Sequence, residues 1–144
     1  MADLTLERNF DAAPERVFAF VSKAEHLLKW WGPEGMHVPE GDLAFDRKGP
    51  WYSVMQNAEG QRYKVSGHVT HVDPPNSVGF TWAWHDENDQ RGVESHVTIK
   101  VVPAQGGGTD FTLTHVDLPG DEIAANHNMG WTSSLRKLEA LAKE

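Results

Sequence analysis

The sequence predicts an α+β fold in which a curved, seven-stranded antiparallel sheet surrounds a long C-terminal helix, with two short helices after the first strand. Two observations predict this fold. Strand-like segments separated by turn residues fill the middle of the chain, and a 3.6-residue apolar period is found on either side of that region. Because the chain has 144 residues and no visible linker or repeat, we expect one domain, 1–144.

The N-terminal segment is predicted to form a half-buried strand, since Leu4, Leu6 and Phe10 alternate with polar residues. The turn that follows contains Pro14, which is favourable in the first turn of a helix because its missing N–H has no partner to lose there. The first short helix is therefore expected to continue through 15–21.

A second short helix is expected over 23–31. Ser22 is the expected cap, because Glu25 stands three residues later and the pair has the spacing of a capping box. Adjacent helical residues point about 100° apart, so only one of Trp30 and Trp31 is expected in the core. The other indole is expected to cover the first strand or the entrance of a cavity.

Six more strands are expected between residues 37 and 117. The predicted strands are 37–46, 50–56, 62–73, 77–85, 92–103 and 109–117. The segments between them contain Gly, Pro, Asn and Asp, which tolerate positive φ or fix a bend. Short connections of this kind indicate an antiparallel meander, because parallel strands need long crossover connections.

The last element is predicted to be a helix that begins after Gly120 and runs to about residue 142. One apolar stripe follows the helical period through Ile123, His127, Trp131, Leu135, Leu138 and Leu141 or Ala142. Gly130 interrupts the stripe, and we expect it to allow close approach to the sheet. A curved sheet cannot contact a straight helix along its whole length, so an elongated apolar cavity is expected between them.

Composition narrows the function classes. The net charge of −8 and the pI of about 5.4 argue against a nucleic-acid or anionic-membrane surface. Cysteine is absent, which excludes disulfides and thiol chemistry. Apolar runs are too short to span a bilayer and the N-terminus lacks the apolar core of a signal peptide, so we expect a cytoplasmic protein. A homodimer through an exposed strand edge is left open.

Several residue blocks spread over the chain match one known superfamily. They are Ala13-Pro14-Glu15-Arg16-Val17-Phe18, His26-Leu27-Leu28-Lys29-Trp30-Trp31-Gly32-Pro33, Gly67 with Val72-Asp73-Pro74-Pro75, Thr81-Trp82, Gly108-Thr109-Asp110-Phe111-Thr112-Leu113-Thr114-His115, and Asn126-His127-Asn128-Met129-Gly130-Trp131. On these blocks the chain resembles the helix-grip domains of the START/polyketide-cyclase (SRPBCC) superfamily. More closely, it resembles homologues of the C-terminal domain of the heat-shock protein 90 ATPase activator.

The resemblance implies a helix-grip fold with a cavity and leaves the chemistry open, since relatives include lipid or polyketide carriers, cyclases, resistance proteins and cochaperones. The chain departs from the family where the third strand begins. Relatives often have paired glycines there, and this chain has Lys48-Gly49-Pro50-Trp51.

Aromatic residues and inward-facing histidines nominate the cavity as the site. Six tryptophans in 144 residues are enough to wall a pocket around an apolar guest. Alternation places His115 on the same face as Phe111 and Leu113, and His127 lies on the apolar stripe of the last helix. The candidate ligand-binding residues are Met55, Trp82, Trp84, His115, His127 and Trp131. Each indole and imidazole could instead be an ordinary part of the core.

Three functions are compatible with these residues. The first is binding of an apolar, aromatic or lipid-like small molecule, with the histidines as the few polar contacts. The second is a cyclase or hydrolase-like reaction with His115 or His127 as the base, because burial disfavours the charged imidazole. The third is a chaperone-linked protein-interaction role. The catalytic residues are unknown at this level.

Other candidate sites are disfavoured by spacing. The histidines form no HxH or HExxH pattern, so no metal site and no cofactor are expected. The turn Asp86-Glu87-Asn88-Asp89 lacks the pattern of a calcium loop and is expected to be a solvated hairpin tip. Thr132, Ser133 and Ser134 have no His and Asp partners at a recognisable spacing, so no hydrolase triad is expected around them.

Overall fold

Seven strands and three helices make up residues 2–143, the part of the chain that this computed structural model describes. The elements are β1 (Ala2–Phe10), α1 (Pro14–Ser22), α2 (Ala24–Trp30), β2 (His37–Asp42), β3 (Gly49–Gln56), β4 (Arg62–Asp73), β5 (Ser77–Trp84), β6 (Ser95–Pro103), β7 (Thr109–Leu118) and α3 (Asp121–Ala142). The predicted α+β helix-grip architecture is confirmed. None of the helices in this range is both long and apolar enough to cross a membrane.

The sheet is an open meander of β2 to β7, and the first strand, β1, is added beside β7. Its order is β1-β7-β6-β5-β4-β3-β2, and every neighbouring pair is antiparallel. The helical pair α1–α2 carries the chain from one edge strand, β1, to the other, β2. The register shifts in the β1–β7, β2–β3 and β4–β5 pairs are bulge-like irregularities, which bend a strand and increase its twist. The curved sheet packs its concave face against α3.

Two strands are shorter than their apolar pattern predicts. β2 ends at Asp42 and not at residue 46, because Leu43 and Phe45 leave the ladder and enter the core. The amide of Phe45 donates instead to the carbonyl of Ser22 at 2.7 Å. β6 begins at Ser95 and not at residue 92. Gly92 still donates to the carbonyl of Trp84 at 2.8 Å, but as part of the connecting loop.

The predicted capping box at Ser22 is wrong. Ser22 is the last residue of α1, and its hydroxyl donates to the carbonyl of Phe18 at 2.7 Å. This bond to the carbonyl one turn earlier satisfies the hydroxyl within α1, so it cannot cap the next helix. Lys23 takes the N-cap position of α2 in an extended conformation and makes no side-chain capping bond.

Both indoles of the Trp30–Trp31 pair are buried, contrary to the expectation that only one would be. α2 ends at Trp30, and Trp31 adopts an extended backbone with φ −64° and ψ 134°. The 100° rule therefore does not apply between them. Each indole N–H also has an acceptor, the carbonyl of Phe20 at 2.8 Å for Trp30 and the hydroxyl of Ser53 at 3.0 Å for Trp31.

A glycine in β4 lets a third indole lie across the sheet. Trp51 of β3 is directly opposite Gly67 of β4, and its Nε1 donates to the carbonyl of Thr81 on β5 at 3.2 Å. A Cβ at Gly67 would overlap that carbonyl oxygen. Glycine inside a strand marks such a close approach. Trp51 thereby packs against Trp31, Phe45, Phe80 and Trp82, which form the aromatic centre of the core.

Candidate functional site

A cavity of about 380 Å³ lies between the sheet, the loop after α2 and the first half of α3. This volume falls within the range of small-molecule sites, roughly 300–1,000 Å³. The lining side chains are mostly aromatic or aliphatic. They are Trp31, Gly32, Pro33, Met55, Trp82, Trp84, Ile123, Asn126, His127, Gly130, Trp131 and Ser134.

The structure brings most of the predicted site residues to this cavity. Met55, Trp82, Trp84, His127 and Trp131 line it. They come from β3, β5 and α3, so the site depends on the packing of the helix against the sheet. His115 does not line the cavity; its side chain is fully buried behind Trp131.

Four tryptophans form the wall, with Trp82 at their centre. The ring of Trp82 lies 5.8 Å from that of Trp31, 5.4 Å from that of Trp84 and 5.3 Å from that of Trp131. These centroid distances and the tilted or edge-to-face angles are those that aromatic pairs prefer. The Nε1 of Trp82 is buried without a hydrogen-bond partner among residues 2–143.

A chain of hydrogen bonds runs behind the wall. The indole Nε1 of Trp131 donates to Nδ1 of His115 at 3.1 Å, so Nδ1 carries no proton. The neutral imidazole then holds its proton on Nε2, which donates to the hydroxyl of Ser95 at 2.7 Å. Ser95 in turn donates to the backbone carbonyl of Trp82 at 3.4 Å. The chain thus connects α3 to β7, β6 and β5.

A second indole–imidazole pair is part of the cavity lining. The Nε1 of Trp84 donates to Nε2 of His127 at 3.0 Å. The proton of this imidazole therefore lies on Nδ1, which donates to the carbonyl of Ile123 one turn earlier in α3 at 2.9 Å. The two histidine rings lie 5.0 Å apart at nearly right angles.

Both imidazoles are held neutral. Burial lowers the pKa of His115 from 6.5 to about 3, with smaller contributions from His127 and His96. Burial also lowers the pKa of His127, against the smaller opposing effect of its bond to the Ile123 carbonyl. Because each basic nitrogen accepts an indole N–H, the polar atoms satisfy one another. The wall therefore presents mainly carbon to the cavity.

Sequence reasoning missed the contribution of α2's end and of one face of α3. Trp31, Gly32 and Pro33 were not among the candidate ligand-binding residues, but they line the cavity. Asn126, Gly130 and Ser134 also line it, and their spacing of four residues along α3 was the signal that could have identified them.

Gly130 does not approach the sheet, contrary to the expectation. A Cβ built there would meet Pro33 Cγ at 3.8 Å, an ordinary van der Waals contact. The missing side chain leaves room in the cavity between α3 and the loop after α2. Within residues 2–143, no group of three or more His, Asp or Glu side chains is arranged to hold a metal ion.

Comparison with known proteins identifies relatives of this architecture. The family described as Activator of Hsp90 ATPase homolog 1-like protein matches residues 11–143. The AHSA1 protein of Silicibacter pomeroyi is 61% identical over 96% of both chains, with a TM-score of 0.94. A protein of Chromobacterium violaceum is 26% identical over 98% of this chain and 97% of its own, with a TM-score of 0.83. No curated protein matches the chain.

Proposed function

This chain belongs to the Activator of Hsp90 ATPase homolog 1-like family, whose fold suits ligand binding, and from that premise we propose that it binds an apolar or aromatic small molecule between the sheet and α3. The observation that carries the proposal is the cavity wall. Four indoles and Met55 line about 380 Å³, and the two imidazoles beside them each accept an indole N–H. An apolar guest makes few hydrogen bonds to water, so it loses little when it enters a wall that offers few in return.

The size of the expected binding free energy favours a guest with a planar apolar body. Burial of apolar surface contributes roughly 25 cal/mol per Å², so 200 Å² contributes about 5 kcal/mol before the cost of association. Stacking or edge contacts with indoles add on the order of 1 kcal/mol for each ring pair. Met55, Trp82, Trp84, His127 and Trp131 are the proposed contact residues.

Polar recognition is proposed to come from residues other than the histidines. His115 supports Trp131 from behind, and the lone pair of His127 is occupied by Trp84. The side-chain amide of Asn126, by contrast, lines the cavity and has no hydrogen-bond partner within residues 2–143. The buried Nε1 of Trp82 also lacks a partner in that part of the chain. A ligand with one acceptor or donor on an apolar body would fit this pattern.

A neutral fluorescent dye such as N-phenyl-1-naphthylamine tests the proposal. We expect saturable binding with dye fluorescence enhanced and indole emission quenched. Gly130→Leu should fill the cavity and weaken binding at least tenfold. Ala125→Leu is the matched control, because Ala125 is an exposed position on the same helix outside the cavity. Absence of binding to the wild type, or equal binding to both variants, would contradict the proposal.

Base catalysis by His115 or His127 is the alternative use of the same residues. A general base needs a free lone pair within reach of the substrate proton. The basic nitrogens of both rings accept indole N–H groups, which weighs against this role. The chaperone-linked role stays a prediction drawn from the family resemblance, and its measurement is a pull-down against purified heat-shock protein 90.

The remaining proposals concern organisation. We propose one helix-grip domain over 1–144 that works in the cytoplasm, without nucleic-acid or membrane partners. The match of the family to residues 11–143 supports the single domain. A homodimer through a sheet edge also stays a prediction; Pro39 and the acidic residues of β2 disfavour that edge. Sedimentation equilibrium measures the oligomeric state.

A further inference from the structure

A second cavity, of about 370 Å³, lies on the face of the sheet that points away from α3. Residues Lys64, Ser66 and His68 alternate along β4 with the core-facing Val65, Gly67 and Val69, and so share this outer face. The cavity is more polar than the first. Its lining includes Asp42, Pro50, Tyr52, Lys64, Ser66, His68, His85 and Arg91.

Three residues in and beside this cavity form a hydrogen-bonded series of serine, histidine and aspartate. The Oγ of Ser66 lies 2.6 Å from Nε2 of His85. Nδ1 of His85 lies 2.8 Å from Oδ1 of Asp89. An ionised carboxylate only accepts, so Nδ1 carries the imidazole proton and Nε2 accepts the hydroxyl proton of Ser66. These are the roles and distances of a nucleophile, a base and an orienting carboxylate.

The local fold places these groups with few degrees of freedom. The backbone N–H of His85 donates to the carbonyl of Lys64 at 2.9 Å, and this hydrogen bond joins the end of β5 to β4. The hairpin after His85 is fixed by Asp86, whose carboxylate accepts the amides of Asn88 and Gln90. Asp89 then adopts the left-handed conformation with φ 60°, which turns its side chain back toward His85.

Two cations lie beside the series. Nε of Arg91 donates to Ser66 Oγ at 3.0 Å, and Nη2 donates to the Ser66 carbonyl at 3.2 Å. Positive charge at this distance favours negative charge on Oγ. Nζ of Lys64 lies 3.1 Å from Asp89 Oδ1, and this hydrogen bond, followed by that of His85, lowers the pKa of Asp89. The carboxylate therefore stays ionised and continues to orient His85.

We propose that Ser66, His85 and Asp89 form a nucleophilic unit that is acylated by carboxylic esters. The positions 66, 85 and 89 match no sequence motif, because β4, β5 and the following hairpin bring them together only in the folded chain. This activity uses the outer cavity and does not depend on ligand binding in the cavity beside α3.

The reaction is balanced by the groups present and water. Ser66 Oγ attacks the ester carbonyl carbon, its proton moves to His85 Nε2, and the carbonyl π pair becomes the oxyanion. Collapse of this intermediate expels the alcohol oxygen, which takes the proton from His85. Water then attacks the acyl-serine with His85 as the base, which releases the carboxylic acid and restores the Ser66 hydroxyl. Arg91 positions Ser66, and Lys64 is the cavity's candidate donor to the oxyanion.

The solvent exposure of Asp89 determines how strongly its replacement should slow the reaction. A buried triad aspartate contributes about 10⁴-fold to kcat. The side chain of Asp89 is 67% exposed, whereas that of His85 is only 10% exposed. Water can therefore replace much of the hydrogen bonding that Asp89 provides to His85 Nδ1. We therefore expect Asp89→Asn to slow acylation about tenfold, and His85→Gln to slow it by roughly 10²- to 10⁴-fold.

Labelling with a biotinylated fluorophosphonate, followed by peptide mass spectrometry, tests the proposal. We expect one label per chain on Ser66, none there in Ser66→Ala and greatly slowed labelling in His85→Gln. Ser77→Ala is the matched control, because Ser77 Oγ lies 3.1 Å from His71 Nε2 on the same sheet, in a pair without a carboxylate partner in the described chain. It should label like the wild type.

Release of 4-nitrophenolate from 4-nitrophenyl acetate gives the second readout. The wild type should show a burst that Ser66→Ala lacks, while circular dichroism confirms that both are folded. A folded wild type that leaves Ser66 unlabelled, or labelling that is unchanged in His85→Gln, would overturn the proposal. Dye binding in the first cavity should be the same in Ser66→Ala, so the two proposals fail independently.

Discussion

The indole N–H of Trp131 donates to Nδ1 of His115 across the interface between α3 and β7, at 3.1 Å. The two residues are 16 positions apart, and both are buried. The bond selects the imidazole tautomer, directs its other nitrogen to Ser95 and fixes one wall of the cavity. A histidine that looks like a ligand contact is therefore a support for the tryptophan in front of it.

Replacing either member of this pair should lower the free energy of unfolding, and replacing both should lower it by less than the sum of the two single effects. Trp131→Phe leaves Nδ1 of His115 unpaired, and His115→Leu leaves the indole N–H unpaired; each orphaned group costs about 1–3 kcal/mol beyond the packing change. A double-mutant cycle by urea unfolding should give a coupling of about 1–2 kcal/mol. Additive effects would mean that the hydrogen bond contributes little.

The free energy of unfolding should fall as the solution becomes acidic. The pKa of His115 is lowered from 6.5 to about 3, so below pH 6.5 the unfolded chain binds a proton that the folded chain does not. Stability is full above pH 6.5 and decreases toward pH 3. Between pH 7 and pH 5 the loss from this group is about 2 kcal/mol. Burial of His127 adds in the same direction.

Urea unfolding at the two pH values measures this dependence. His115→Gln keeps an acceptor but does not titrate, so its stability should depend much less on pH. His37→Gln, at an exposed position, is the control and should behave as the wild type. An equal pH dependence in wild type and His115→Gln would contradict the assignment to His115.

Two glycine-to-alanine substitutions should have opposite effects. A Cβ at Gly67 would overlap the Thr81 carbonyl, so Gly67→Ala must displace β4 from β5 and should cost more than about 3 kcal/mol. A Cβ at Gly130 has room, so Gly130→Ala should stabilise α3 by up to about 1 kcal/mol. Thermal unfolding compares them. Destabilisation by Gly130→Ala would show that its surroundings are tighter than the structure indicates.

Replacing Trp84 by phenylalanine should raise the pKa of His127. The indole N–H of Trp84 occupies the nitrogen that would accept a proton. Phenylalanine keeps the ring and removes this competitor, so the charged imidazole becomes easier to form. NMR titration of the ring protons of His127 in the wild type and in Trp84→Phe measures the shift. An unchanged pKa would mean that burial alone holds His127 neutral.

Local rules succeeded where a residue's environment follows from its place in a repeating element. His115 points inward as its alternation with Phe111 and Leu113 predicted. They failed at element ends, where the chain leaves the repeat. Ser22 turned its hydroxyl back into α1, and Trp31 left the helical period in an extended conformation. At such positions, tertiary burial decides between local conformations that differ by about 1 kcal/mol.

The aromatic residues of the candidate site could be nominated in advance, but their partners could not. Trp82, Trp84 and Trp131 were among the candidate ligand-binding residues. That Trp84 would meet His127, 43 positions away, depended on where α3 crosses the sheet. The expectation that the histidines are the polar contacts was made without knowledge of these bonds. Asn126 was overlooked, although its spacing of four residues from Gly130 places both on the cavity face of α3.

By itself, the order of apolar and polar residues determined which segments become strands and helices, the sequence of those elements and the faces that turn inward. These properties follow from periods of 2 and 3.6 residues along one chain. Only the tertiary structure decided which polar atoms meet, in the pairs of tryptophan and histidine and in the series from Ser66 to Asp89. A hydrogen bond requires a distance and an angle between separate elements, and those are set by how the elements pack.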